Sequence, residues 1–343
     1  MDRSGFSRRG FLKGLAVAAG SAVGTRLAGR SLLGSAFAAG EPASLVVLHL
    51  IGGYNAIFCS ADRLVGRFGV TAGNHTVLGN GLAVDNTYAN SMSNFVKGHM
   101  ASIGVRHGLS SHPAARASLW TQNNQNAGLR LASAMGGTAS IKAAVVGGNL
   151  VAEAPRGAVN GVSFQSITDM QTTIEALGGG APNPRVPDRE IALAGVEAAQ
   201  KMSANPLAGS PTSLVSLDNG FKAAVDTLKQ PVKQFDINEL RTAYGLGNST
   251  AVRTFASKLA AAELMVLSGT NVVSLFDGGW DTHGDRQGTT VRNKMNQYVL
   301  APLNTFLTRM VQDPTRNVVV CILGDFARSL PGFDHQPNLS VTV

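Results

Sequence analysis

The chain has 343 residues, 44% hydrophobic and 15% charged, which is long enough for one large α/β domain or two ordinary ones. Its formal net charge of +8 points at first to an anionic partner. Six of its basic side chains, however, stand in residues 1–38 against the single acid Asp2, so that without this segment the charge falls by five to +3. The rest has no Lys/Arg cluster interleaved with aromatics, which argues against nucleic acid as a partner.

The first element is a targeting signal. Ser7-Arg8-Arg9-Gly10-Phe11-Leu12-Lys13 is an arginine pair followed by apolar residues and a lysine, the pattern of a twin-arginine export signal. An Ala/Gly-rich stretch follows, and Ala36-Phe37-Ala38 offers the small-x-small pattern of a signal-peptidase site. The expectation is a signal peptide over 1–38, the twin-arginine translocase as partner during export, and a periplasmic or extracellular location for a single domain over 39–343. Arg26 and Arg30 interrupt the apolar run, so an uncleaved basic N-terminus is the alternative. No later stretch reaches the roughly 18 uninterrupted apolar residues of a spanning helix, and no stable membrane span is expected.

Leu45 to Leu50 is a short, nearly unbroken apolar run ending in Gly52-Gly53, as in a parallel strand buried on both faces that enters a tight turn. Similar runs are Lys142 to Val146, Val272 to Phe276 and Val318 to Leu323, with a weaker one at Ser102 to Val105. Helical spacing marks Pro113 to Gln122, Glu190 to Met202, Leu214 to Leu228, Val252 to Leu267 and Val291 to Val311. Strands alternating with helices indicate an α/β fold with a mostly parallel sheet covered on both faces. The Gly/Pro-rich loop at Gly178 to Pro187 opens a helical insertion over about 178–250. Leu339 to Val343 reads as the start of an edge strand. Cys59 and Cys321 lie in or next to apolar segments, as a single bridge or as two buried thiols.

Ligands in open α/β sheets bind beyond the carboxyl ends of strands, so the polar residues there carry the functional information. They are Tyr54-Asn55, Arg106-His107 with Ser110-Ser111-His112, Trp280-Asp281-Thr282-His283, and Asp325-Phe326-Ala327-Arg328 followed by Asp334-His335. Carboxylates and imidazoles are ligands for a divalent cation such as Zn²⁺, Mn²⁺, Mg²⁺ or Ca²⁺, and Asp281, His283, Asp325, Asp334 and His335 suffice for one or two ions if they converge. Each Asp–His pair is also what a helix cap with a hydrogen-bonded imidazole looks like. Ser111 precedes a helix, either as an N-cap or as a nucleophile toward a phosphate or sulfate ester. His112 and His107 are candidates either for binding a small anionic ester or for satisfying neighbouring carbonyls.

The order of these motifs resembles the exported proteins of the domain of unknown function 1501 family, which look like distant relatives of the alkaline phosphatase and sulfatase superfamily. The resemblance rests on the arginine pair, Leu45 to Asn55, Ser111-His112 upstream of Trp120, Gly278-Gly279-Trp280-Asp281-Thr282-His283, Asp325 to Arg328 and Asp334-His335. It implies an alkaline-phosphatase-like three-layer α/β/α sandwich. By the same resemblance Asn55, Asp281, His283, Asp325, Asp334 and His335 stand at metal positions and Ser111 at the nucleophile position, with His112 and Arg328 as candidate substrate-binding residues beside them. The family pattern Gly-Gly-x-Asp-Gly is replaced here by a turn with Asn55-Ala56, a neutral amide in place of a carboxylate. Asp325 and Ala327 take the Glu and Gly places of a Glu-Phe-Gly-Arg pattern, and the family continues into further strands after Asp-His, so the C-terminus has the look of a truncation.

Two functions follow as expectations: a metal-dependent hydrolase of phosphate or sulfate esters, or a non-catalytic periplasmic or envelope-associated binding protein that keeps the fold with a degraded site. An exported oxidoreductase ranks behind both, because the sequence holds no cysteine cluster, haem motif or dinucleotide fingerprint.

Overall fold

In the computed structural model, residues 43–53, 73–79, 81–136, 139–177, 189–204, 235–285, 287–313, 317–328, 335–336 and 338–342 are described. The export motif with Arg8 and Arg9, the predicted helix at Leu214 to Leu228, Asn55, Cys59 and Asp334 lie outside them. The strands are β1 (Ala43–Leu50), β2 (His75–Val77), β3 (Ala83–Asp85), β4 (Ser102–Arg106), β5 (Thr121–Gln122), β6 (Gln125–Asn126), β7 (Ala143–Val146), β8 (Phe164–Ile167), β9 (Val272–Asp277), β10 (Asn317–Gly324), β11 (Ala327–Arg328), β12 (His335–Gln336) and β13 (Asn338–Thr342). The helices are α1 (Asn86–Ser91), α2 (Asn94–Gly98), α3 (His112–Trp120), α4 (Ala127–Met135), α5 (Met170–Ala176), α6 (Arg189–Ala204), α7 (Ile237–Ala243), α8 (Phe255–Leu267), α9 (Thr289–Lys294) and α10 (Leu300–Gln312).

The chain is an α/β protein with a central sheet ordered β4-β13-β10-β1-β9-β7-β8. Strands β10, β1, β9, β7 and β8 run parallel. The apolar character of β10, β1, β9 and β7 follows from burial on both faces, since helices cover the sheet from either side. Val46, Leu48 and Leu50 of β1 pack with Val273, Leu275, Ile322 and the buried face of α8, while Val47 points the other way with Phe276, Cys321, Leu323 and Trp120. That alternation is the period-2 signature of a strand.

Helix α8 is nearly all apolar and starts in a capping box between Thr254 and Ser257. Its one buried acid, Glu263, accepts hydrogen bonds from Tyr244 Oη at 2.7 Å and Arg309 Nε at 2.9 Å, which compensates a charge that would otherwise be costly in the core. The predicted helix at Val291 to Val311 forms as α9 and α10, joined by a π-helical turn at Met295–Val299.

One expectation is corrected and one alternative is decided. The segment from Leu339 is no edge strand: β13 is inserted antiparallel between β10 and β4 and pairs with β4 along its whole length. The edge on that side is β4, and β8, whose Phe164-Gln-Ser-Ile167 lacks a continuous apolar run, forms the other edge unannounced by the pattern. Cys321 is a buried free thiol in β10, pushed by burial up to about 12, so it stays protonated at neutral pH. Among the described residues no helix is long and apolar enough to cross a membrane.

Candidate metal centre

Parallel strands place their carboxyl ends on one edge of the sheet, and here β1, flanked by β10 and β9, sits at the middle of that edge. Leu50 is level with Gly324 on one side and Asp277 on the other, so the loops that follow all three strands meet. Two glycines make the meeting sterically feasible. Gly52 (φ +121°) lies against the backbone of Trp280 and Asp281, and Gly53 (φ +68°) lies under the ring of Phe326; neither position has room for a Cβ. Ile51 N–H donates to Asp277 O at 2.8 Å, and Trp280 N–H donates to Ile51 O at 3.2 Å, tying the first loop to the third.

The third loop is clamped from beneath. The fully buried Trp280 donates its indole N–H to Asp277 Oδ2 at 2.8 Å, and Lys294 Nζ sits 4.2 Å over the indole ring while bonding Gly278 O and, at 3.1 Å, Asp277 Oδ2. Lys258 Nζ donates to Phe276 O at 2.7 Å. With Trp280 buried, the Asp281 and His283 side chains stand about half exposed at 47% and 53%, facing the start of α3. There His112, the first residue of the helix, completes a cluster in which one ligand atom from each of His112, Asp281 and His283 lies within 4.8 Å of the others. His283 Nε2 is 3.1 Å from Asp281 Oδ1, and His112 Nε2 is 3.4 Å from Asp281 Oδ2. Two imidazoles and a carboxylate are donors that suit a cation such as Zn²⁺, and the two short contacts reach different oxygens of Asp281, with the three ligand atoms grouped within 4.8 Å.

Behind His112 lies Asp325, fully buried at the end of β10. Its Oδ2 accepts from His112 Nδ1 at 2.7 Å and from Arg116 at 3.3 Å, and its Oδ1 accepts from His49 Nε2 at 2.7 Å. Burial pushes the Asp325 carboxyl up, but the hydrogen bonds from His49 and His112 with the charge of Arg116 outweigh it and bring it below the ordinary aspartate value. Arg116 also holds Glu153 through two parallel bonds of 3.0 and 2.7 Å, and that pairing, against burial, lowers the Glu153 carboxyl. His49 is in turn bonded by Trp120 Nε1 at 3.0 Å. His107 Nδ1 accepts from Leu109 N–H at 3.1 Å, and burial pushes its imidazole down despite the neighbouring carbonyl and charge of Asp325.

Of the residues singled out from the sequence, the structure thus brings together Asp281, His283, His112 and Asp325. Asp325 has both oxygens engaged by neighbouring side chains, and His112 stands among the ligand atoms. Ser111 is the N-cap residue of α3, exposed, and its side chain makes no capping bond. Arg328 and His335 are backbone register partners in the two-stranded ribbon β11–β12. Sequence reasoning missed His49, Arg116 and Glu153. The available signals were a histidine inside an otherwise apolar strand and the i, i+4, i+8 spacing of His112, Arg116 and Trp120.

Residues 211–342 match the family model described as Protein of unknown function (DUF1501), which supports membership of that family. The match takes in β9, the Trp280–His283 loop and Asp325. No curated protein and no solved structure matches the chain.

Proposed function

We propose that this chain is a metal-dependent hydrolase of phosphate or sulfate esters, exported by the twin-arginine pathway and built on an alkaline-phosphatase-like sandwich. The observation that carries the reading is the convergence of His112, Asp281 and His283, backed by Asp325 on the Nδ1 side of His112. Three protein ligands with an open remaining position are the pattern of catalytic rather than structural cation sites. A bound divalent cation supplies Lewis-acid stabilisation of charge on an ester oxygen.

The chain's own residues supply the rest. Ser111 offers an exposed hydroxyl at the N-terminus of α3, where the helix dipole favours an anion, and it is the candidate to attack phosphorus or sulfur as the ester oxygen leaves. Arg116, itself held by Glu153, joins His49 and His112 in holding Asp325 charged, which keeps a hydrogen-bond acceptor behind His112. Asn55, a neutral amide at a position where a carboxylate is expected from the family resemblance, favours the second reading, a binding protein without turnover.

The test is metal content of the protein purified without chelator, compared with an Asp281→Ala, His283→Ala double variant, followed by assays on 4-nitrophenyl phosphate and sulfate. Near-stoichiometric metal lost in the variant, together with ester hydrolysis, is the expected result. Metal without hydrolysis selects the binding protein, and no metal in either protein sinks both the cation site and the hydrolase.

A further inference from the structure

We infer that Trp120 and His49 are positioning residues of this centre: acting through Asp325, they fix which nitrogen of His112 carries the proton and therefore which one faces Asp281 and His283. The inference rests on the reading of His112 as a cation ligand only for its functional consequence; the positioning itself follows from hydrogen-bond chemistry.

An indole N–H can only donate. Trp120 Nε1 lies 3.0 Å from His49 Nδ1, so Nδ1 must carry a lone pair and the His49 ring proton must sit on Nε2. That proton points at Asp325 Oδ1 2.7 Å away, in a contact with no solvent exposure on either side. The proton donated by His49, together with Arg116, favours the ionised, acceptor-only form of Asp325, so Oδ2 receives the Nδ1–H of His112 at 2.7 Å. The neutral His112 ring then presents the lone pair of Nε2 toward Asp281, whose Oδ2 is 3.4 Å away. Reversing the His49 ring sets its proton against the Trp120 indole N–H and its lone pair against Asp325, which costs buried unsatisfied groups; the lone pair that His112 turns toward Asp281 is instead the one a cation would share.

The path closes on one helix. His112 is the first residue of α3, Trp120 its last, and Arg116 lies between them at i+4, so a single helical face contacts Asp325 twice and His49 once. His49 is enclosed by Trp120, stacked at 6.0 Å, and by Phe276 at 5.7 Å, which leaves the ring no alternative rotamer partner on those sides. A carboxylate behind a ligating histidine raises the ring's basicity and fixes its orientation, and loss of such partners typically weakens metal binding about 10–100-fold. Here a second histidine and a tryptophan extend that support by two further bonds.

The experiment uses the full chain, freed of metal by chelator, and reads histidine tautomers by long-range ¹H–¹⁵N NMR at a pH where imidazoles are neutral; Zn²⁺ alone is then titrated against a competing chelating dye. The variants are Trp120→Phe, which keeps the aromatic body and removes the N–H, and the pair His49→Gln and His49→Phe. Glutamine keeps both an acceptor for Trp120 and a donor for Asp325, whereas phenylalanine keeps neither. The expected result is His112 held as the Nδ1–H tautomer in the unmodified chain and in His49→Gln, with mixed tautomers and Zn²⁺ binding weakened about 10–100-fold in Trp120→Phe and His49→Phe. If Trp120→Phe does not fold, the contrast between the two His49 variants decides in the same way. A wild-type tautomer with unchanged Zn²⁺ affinity in Trp120→Phe or His49→Phe overturns the inference. If His112 is locked in the unmodified chain and released in Trp120→Phe but neither binds Zn²⁺, the positioning stands and the cation reading falls.

Discussion

The backbone of Gly52 is pressed against that of Asp281, with no space between them for a side chain: a Cβ on Gly52 would come within 2.7 Å of the Trp280 carbonyl carbon and 3.0 Å of Asp281 Cα. Backbone cannot swing aside as the end of a flexible side chain can, and the φ of +121° is itself strained for any residue with a Cβ. Gly52→Ala is therefore expected to push the Trp280–His283 loop away from His112. The expected outcome is a loss of about 1–3 kcal/mol in stability by urea denaturation, together with Zn²⁺ binding weakened at least about tenfold. Wild-type values for both would mean that the loop contact does not position Asp281.

Asp325→Asn tests a different link, because the amide replaces an acceptor-only group by one that must also present N–H donors. Two ring N–H groups and a guanidinium converge on Asp325, so at least one of them meets a donor in the variant. Breaking a buried charged network of this kind costs about 3–5 kcal/mol. The expected outcome is a cooperative unfolding transition shifted to lower denaturant with an unchanged slope, and a deficit in metal uptake that excess Zn²⁺ only partly restores. Unaltered stability would show that the buried carboxylate is not ionised in the native state.

Much of this arrangement is legible in the sequence, and the part that is not has a physical reason. Nearly unbroken apolar runs at Leu45, Val272 and Val318 announce strands buried on both faces, and the polar residues just after the last two runs are Asp281, His283 and Asp325. The Gly52-Gly53 pair announces a turn, though its purpose, the approach of a loop more than two hundred residues away, is invisible to local pattern. β8 was hidden because an edge strand needs few apolar residues: the adjacent Gln165 and Ser166, which point to opposite faces, are both exposed. The position of β13 was hidden because strand order is set by long-range pairing with β4 and β10. His49 reads as one polar interruption of a strand; only the arrival of Trp120 from α3 gives it a role.

Acid sensitivity is expected from Asp169, away from the centre. This residue caps α5, accepting from Thr172 N–H at 3.0 Å, and also accepts from Thr250 Oγ1 at 2.6 Å, which ties α5 to the segment leading into α8. The hydrogen bond from Thr250, opposed by burial and aided by Thr172, holds its carboxyl below the ordinary value. A carboxyl depressed in the folded state stabilises fully above the unfolded value of about 3.9 and loses that contribution as pH falls through the lower folded value. Asn also caps helices well, so Asp169→Asn removes the charge while sparing the cap. Melting temperatures of the two proteins are expected to differ above about pH 5 and to converge as pH falls below the unfolded value of about 3.9 and through the lower folded one. A gap that widens on acidification would reverse the assigned sign.

Ser111 provides the sharpest separation of chemistry from folding. An N-cap serine normally bonds a backbone N–H of the first turn, and replacing it by alanine costs about 1 kcal/mol. Ser111 occupies the N-cap position of α3 in extended conformation (φ −107°, ψ 138°) without making that bond, so its hydroxyl contributes little to the helix. Ser111→Ala is accordingly expected to leave stability within about 0.5 kcal/mol of the unmodified chain. His112, one residue on, keeps its bond to Asp325 in this variant because that contact involves only the ring and the carboxylate. Metal content is therefore expected to be unchanged, whereas hydrolysis of 4-nitrophenyl phosphate and sulfate is expected to fall at least about a hundredfold, since no other group would replace the attacking oxygen. A variant that still turns over at the wild-type rate would remove Ser111 as the nucleophile and leave water as the attacking group. One that loses metal along with turnover would instead assign Ser111 to the ligand set.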